Sequence, residues 1–320
     1  MKLTPIACKG YFGLALSQGC FARGHLPRGR AWVILFEISG DSNEGEVCTH
    51  EWGGFCVFGS AMKLIQKVDV RALLVMAVLV AAPVTAFAQT DEIQVYDAAI
   101  ADKGKFNLML HNNFTPNGQK TPAFPGGIIS DRAYVGVAEW AYGVTNWFEQ
   151  GLYLPLYSVS KGRGGSINGF KLRELFVLPR ADDHTFFYGV NFEFSYNARY
   201  WDPKRVTSEI RPIIGLHLHP VDIIVNPILD TSYDGFKNLD FAPSTRLAYN
   251  LSPKWAIAAE EYADYGAIHK FNPVNDQAHQ LYAVVDHESK FLNVEFGVGF
   301  GLTSATDKVT IKLMLSRDLN

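Results

Sequence analysis

The chain has 320 residues, 48% of them hydrophobic and 19% charged, with a formal net charge of −3. Charge below the usual ~25% and the lack of a basic excess leave no electrostatic basis for nucleic-acid binding, and the wealth of aromatic and β-branched side chains excludes a disordered chain. Only residues 72–88 are apolar for nearly the length of a spanning helix, which excludes a polytopic helical membrane protein.

That stretch lies inside a three-part secretory signal. After Met62 come Lys63, Lys67 and Arg71 as a basic region, then residues 72–82 as an apolar one. Pro83 breaks the apolar run, and Ala86-Phe87-Ala88 forms a small-residue cleavage site. A single transmembrane helix is the weaker alternative, because the run is short and no positive stop-transfer cluster follows. Met62 is therefore expected to be the true start, with 62–88 the signal peptide and 1–61 upstream sequence that does not fold. The rival for 1–61 is a small cysteine-bearing domain, but Cys8, Cys20, Cys48 and Cys56 lack the closely spaced pairs of a zinc site. Cleavage after Ala88 leaves residues 89–320, with 21 Lys+Arg, 26 Asp+Glu and no cysteine. Such a chain crosses an oxidising compartment without forming a disulfide.

From residue 89 onward the dominant period is two, the signature of strands with unlike faces. Twelve segments are predicted, at 104–114, 131–142, 147–159, 169–179, 185–198, 206–218, 222–230, 241–250, 254–265, 278–286, 290–302 and 307–317. In 185–197, Phe186, Tyr188, Val190, Phe192, Phe194 and Tyr196 share one face, and Asn191, Glu193 and Asn197 share the other with Phe187 and Gly189. In 290–302, Leu292, Val294, Phe296, Val298, Phe300 and Leu302 oppose Asn293, Glu295 and three glycines. Several segments exceed the ~5–6 residues of soluble strands and suit a tilted membrane crossing.

The connections alternate. Those at 143–146, 179–184, 219–221, 251–253 and 287–289 are short, whereas 115–130, 160–168, 199–205, 231–240 and 266–277 are mostly longer and richer in Gly, Pro and Asn; 303–306 is the short exception. Alternating short and long connections around an even number of antiparallel strands is the pattern of an outer-membrane barrel, with short turns and both termini in the periplasm. Trp147 and Trp255 follow short turns, and Tyr157, Trp201, Tyr249 and Tyr265 lie near strand ends, where a bilayer interface favours aromatic rings. A soluble sandwich or lipocalin-like barrel is the alternative. Against it, the polar face carries ions while the apolar face holds nearly all the large residues.

The GVTNW turn after EWAY, the NPILDTS and EEYADYG segments and the terminal GFGLTSATDKVTIKLMLS resemble Gram-negative outer-membrane β-barrels, and are similar to transporters of the phenol-degradation (meta-pathway) type. The resemblance covers 89–320. It implies a barrel and a passage for small solutes, hydrophobic or aromatic ones among them, and supplies no catalytic residues. Such barrels often end in an aromatic residue read by the assembly machinery; Asp318-Leu319-Asn320 departs from this, with Leu319 as the substitute.

Candidate chemistry is sparse. His217 and His219, two apart on a strand, are expected on one face, near Glu209 or Arg211; two imidazoles fall short of a metal set. His287 and Ser289 have the spacing of an outer-membrane lipid hydrolase but fall on a predicted periplasmic turn, away from outer-leaflet lipid. Glu260 and Asp264 share a face, which sends Glu261 toward lipid unless a bulge or the interface intervenes. The predicted lumen wall is Arg132, Glu139, Lys171, Arg173, Glu193, Glu209, Arg211, His217, His219, Glu260, Glu295 and Lys312. Both signs on one wall form either a salt-bridged plug or a narrow polar passage, and twelve strands lie between the filled and the water-filled barrel sizes.

The sequence thus predicts an all-β, antiparallel transmembrane β-barrel of about twelve strands in the outer membrane. It acts as a channel for small solutes, with no cofactor and no covalent step. Expected partners are outer-membrane lipid, a small-molecule solute and the barrel-assembly machinery, with no nucleic acid. A Ser/His lipid hydrolase and a closed structural barrel are the alternatives.

Overall fold

The computed structural model describes residues 92–319 and, apart from them, two short strands, Cys20–Ala22 and Val33–Leu35, paired antiparallel. The signal segment 62–88, its cleavage position and most of 1–61 lie outside the described residues. Among the described residues no helix is long and apolar enough to cross a membrane.

Twelve antiparallel strands close into a barrel. In chain order they are β1 (Phe106–Asn117), β2 (Tyr134–Gly143), β3 (Phe148–Ser160), β4 (Gly164–Val177), β5 (Phe186–Asn197), β6 (Val206–His217), β7 (Val221–Asn226), β8 (Ser244–Ser252), β9 (Trp255–Asp264), β10 (Ala278–His287), β11 (Asn293–Gly301) and β12 (Val309–Asp318). Each pairs with its chain neighbours, and β12 pairs with β1 to close the ring. Closure gives every wall strand two partners, so backbone groups facing lipid are satisfied without water. β7 is interrupted at residues 227–228; a short extension, Leu229–Thr231, continues along β6 and pairs with Asp240–Phe241.

The period-two faces fix which way each strand looks. In β5, Phe186, Tyr188, Phe194 and Tyr196 are exposed on the outer surface, whereas Phe187, Asn191, Glu193 and Asn197 are buried inside. Phe296 and Phe300 of β11 and Trp140 and Leu154 of β2 and β3 continue the outer apolar belt. Trp147, Trp255 and Tyr249 stand exposed at the short-turn end. Trp201 departs from its expected place: it is buried with Ile128, Val137, Tyr153 and Leu156, because the β5–β6 connection folds inward.

Two local features depart from simple alternation. The expected loop at 160–168 is instead a tight turn at residues 161–163, since Gly162 and Gly164 take φ of 84° and 73° and let β3 and β4 run on as a hairpin. In the middle of β3 the register shifts between Tyr153 and Leu156 against both neighbouring strands. Pro155, which cannot donate to a ladder, sits in this bulge. The bulge resets the parity, so that Tyr153 and Leu156 both point inward and are fully buried.

The inside is therefore not uniformly polar. Residues 92–101, which precede β1, run inside the wall. Val95, Tyr96 and Ala98 pack with Leu175, Val177, Phe187, Ile213 and Ile224 into an apolar core. The Phe187 ring lies where a Cβ at position 215 would stand, which is why β6 carries Gly215 there.

Candidate functional site: the lumen and its inner segment

Residues 92–101 are held by side chains projecting from opposite parts of the wall. Asn226, fully buried on β7, accepts from the Tyr96 N–H at 2.7 Å and donates to the Tyr96 carbonyl at 3.0 Å. Arg211 of β6 donates to the Gln94 carbonyl (3.1 Å), and Lys312 of β12 to the Ile93 carbonyl (3.2 Å). Glu149 of β3 accepts from the Ala101 N–H at 2.5 Å. An extended peptide without strand partners must find such bonds, because an unmet buried backbone group costs about 1–3 kcal/mol.

Two ionic networks flank it. In the first, Arg173 bridges Glu139 (2.7 Å) and Glu149, and His111 Nε2 meets Glu139 at 2.9 Å. Lys171 pairs with Glu193 (3.1 Å), and Arg211 grips Glu209 through two nitrogens and reaches Glu92 at 3.5 Å. The Tyr96 and Tyr153 hydroxyls meet at 2.6 Å, and the Arg211 guanidinium lies 4.5 Å from the centre of the Tyr96 ring. In the second, Lys312, with no exposed surface, binds Glu260 and Glu295 (2.5 Å), and Arg246 binds Glu260, Asp286 and Glu295. Pairing of this kind offsets the cost of burying the charges, and removing one partner is far costlier than the pair is stabilising.

Of the residues singled out in the sequence, Glu139, Lys171, Arg173, Glu193, Glu209 and Arg211 meet in the first network and Glu260, Glu295 and Lys312 in the second. Arg132 stands apart, exposed at φ 59° in the β1–β2 connection rather than on the wall. The two histidines do not share a face. His217 closes β6 and bonds Asp222 at 2.8 Å, while His219 is exposed in the following turn at φ 26°. Among the described residues no three His, Cys, Asp or Glu side chains converge as a metal set. His287 bonds the Lys254 carbonyl and lies against Trp255, and the Ser289 hydroxyl donates to the Leu292 carbonyl, so each is engaged elsewhere. Glu261 does face outward; His279 reaches it at 3.1 Å and supplies the partner that lipid would not.

Sequence reasoning missed Arg246, Asp286, Glu149 and His111. All four share the inward parity of their strands, which was the signal available. The inner segment gave none, since its residues carry no strand period.

Beyond the segment, toward the long connections, the lumen opens into a cavity of about 650 Å³. Glu92 and Gln94 line it together with Lys171, Glu193 and Arg211 of the wall and Phe124, Trp201 and Asp307 of the long connections. The β1–β2 connection is fastened over it by Asp307, which accepts from the Gln119 N–H (2.8 Å) and the Ser130 hydroxyl (2.5 Å).

A closed antiparallel wall, an outward apolar belt and an ionic interior define a transmembrane β-barrel of the outer-membrane type. Solved structures similar to it include the COG4313 outer membrane channel from Pseudomonas putida F1, with 12% identity and a TM-score of 0.48 over 71% of this chain and 100% of that one. They also include Pseudomonas aeruginosa OccK3 (OpdO), at 10% identity and 0.32 over 66% and 65%. LpxR from Salmonella typhimurium is similar at 6% identity and 0.35, over 66% and 99%. No family model and no curated protein sequence matches the chain.

Proposed function

We propose that the protein is a narrow channel of the Gram-negative outer membrane for small solutes, hydrophobic and aromatic ones included, with residues 92–101 as its constriction. The observation that carries this reading is the cavity bounded by a continuous wall on its sides and by a side-chain-held peptide beneath. Selection follows from the width left beside that peptide and from the charges around it, with no covalent step. Export by the 62–88 signal with cleavage after Ala88, insertion by the barrel-assembly machinery and contact with outer-membrane lipid belong to the same proposal.

The test is conductance of the refolded barrel in a planar bilayer, with liposome swelling in small neutral solutes alongside. Discrete current steps and solute uptake are expected; a silent bilayer and no swelling would overturn the channel. A second reading, a closed structural barrel, is favoured by the packing of Phe187, Leu175 and Ile213 around the inner segment, which fills the short-turn half of the lumen. The hydrolase reading has less support, because His287 and Ser289 make no bond to one another among the described residues.

A further inference from the structure

Building on the channel reading, we propose that the cavity beyond the inner segment is a cation-selecting vestibule that takes small organic ammonium solutes on a row of unpaired carboxylates. The register sets this row: Asp230 stands opposite Glu209 on one side and opposite Asp240 on the other. Asp264 joins them in lining the same cavity. Arg211 matches Glu209. Asp230 and Asp240 have no side-chain hydrogen bond or ion pair with any described residue, and Asp264 accepts only from the Gly266 N–H at 2.7 Å. Like charges set directly across neighbouring strands repel, so the row is relieved either by a proton or by a cation that meets it.

An independent observation points to the same occupant. Glu92, on the inner segment that bounds this cavity, is only 3% exposed, and its Oε2 has no hydrogen-bond partner. A buried, unmet carboxylate oxygen calls for a donor. The cations already present act on Asp230 only at a distance, since Lys171 is bonded to Glu193 and Arg211 to Glu209 and Glu92. An anion entering here meets carboxylates whose countercharges are taken. A divalent metal wants several convergent oxygens, and no such set of three exists among the described residues. Trp201 and Phe124 give the cavity an apolar side suited to the carbon skeleton of an amine, and an indole face attracts an ammonium group.

The experiment uses phenethylammonium chloride at neutral pH with the folded full chain in detergent, read by calorimetry, with 2-phenylethanol and phenylacetate as the neutral and anionic controls. Saturable binding of the ammonium alone is expected, weakened about tenfold in Asp230→Asn/Asp240→Asn/Asp264→Asn. Asp240→Asn alone, on the exposed hairpin, should show a smaller loss and guards against misfolding of the triple variant; a heat-modifiable gel shift confirms that each barrel is folded. No ammonium binding, or equal binding of phenylacetate, overturns the vestibule. Reversal potentials in an asymmetric KCl gradient separate the two readings. A conducting barrel without cation preference refutes the vestibule and keeps the channel. A silent barrel that still binds the ammonium refutes the channel and keeps the vestibule.

Discussion

Releasing the inner segment should open the lumen, and Asn226→Ala is the most economical way to do it. The side chain makes two hydrogen bonds to the Tyr96 backbone, at 2.7 and 3.0 Å, and takes no part in the ladder of the wall. Each bond contributes about 1 kcal/mol net, and loss of the amide also leaves a buried N–H and a buried carbonyl unmet at a residue only 3% exposed. With partial relief from water entering the vacated space, the segment loses about 3 kcal/mol of hold, or roughly a hundredfold in its dislodged population. The assay is single-channel recording: the variant should show longer or larger openings than the parent protein at the same voltage. Asn226→Asp, which keeps the acceptor and loses the donor, should lie between them. A folded Asn226→Ala barrel with parental conductance and open time would show that the segment does not limit passage.

Three further outcomes are expected. Lys312→Met leaves Glu260 and Glu295 short of a cation in a site with no exposure and should cost about 3–5 kcal/mol in urea unfolding, with Lys312→Met/Glu260→Gln recovering part of the loss; a single variant as stable as the parent would contradict this. Phe194→Arg places a cation on the outer belt and should lower stability in lipid vesicles by about 1–4 kcal/mol, more the deeper the position lies; unchanged folding would mean that this position does not meet the lipid core. In the β1–β2 connection, the hydrogen-bonded Lys120 ammonium holds the Asp131 carboxyl below the usual carboxylate range. A depressed carboxylate stabilises the closed connection above its ordinary pKa of about 4, and this is lost as pH falls through the lower folded value. Limited proteolysis should show the connection loosening at acid pH, a step that Asp131→Asn removes by loosening it at every pH.

The twelve strands were readable because alternation is a direct record of having lipid on one side and the lumen on the other. The residues that broke the pattern are those under a second demand. Phe187 faces inward although it is large and apolar, because Val95, Tyr96 and Ala98 give it something to pack against, and no period announces a peptide that lies inside a barrel. Tyr153 and Leu156 share a face against their spacing because Pro155 forces a bulge, which a strict parity count passes over. Residues 160–168 read as a loop because glycine marks flexibility and tight reversal alike. His219 left the lumen because β6 stops at His217, and one residue of boundary error changes the face of everything beyond it. The ionic partners resolve the same way: Lys312 and Glu260 could be placed on inward faces, but their meeting over the intervening β10 and β11 follows from the curvature of the wall, which strand pattern does not encode.

Considered as a binding partner rather than as part of the wall, residues 92–101 are a peptide ligand joined to its own receptor by the few residues 102–105. A short tether, itself hydrogen-bonded to Gly143 at the end of β2, holds such a ligand at an effective concentration on the order of millimolar or more. A solute that would displace the peptide from Arg211, Asn226 or Lys312 competes with an occupant that cannot diffuse away. Under the proposed channel function, weak solutes would pass only as often as the peptide lets go by itself, so above modest concentrations the traffic would follow the dissociation rate of the chain's own segment rather than the amount of solute outside.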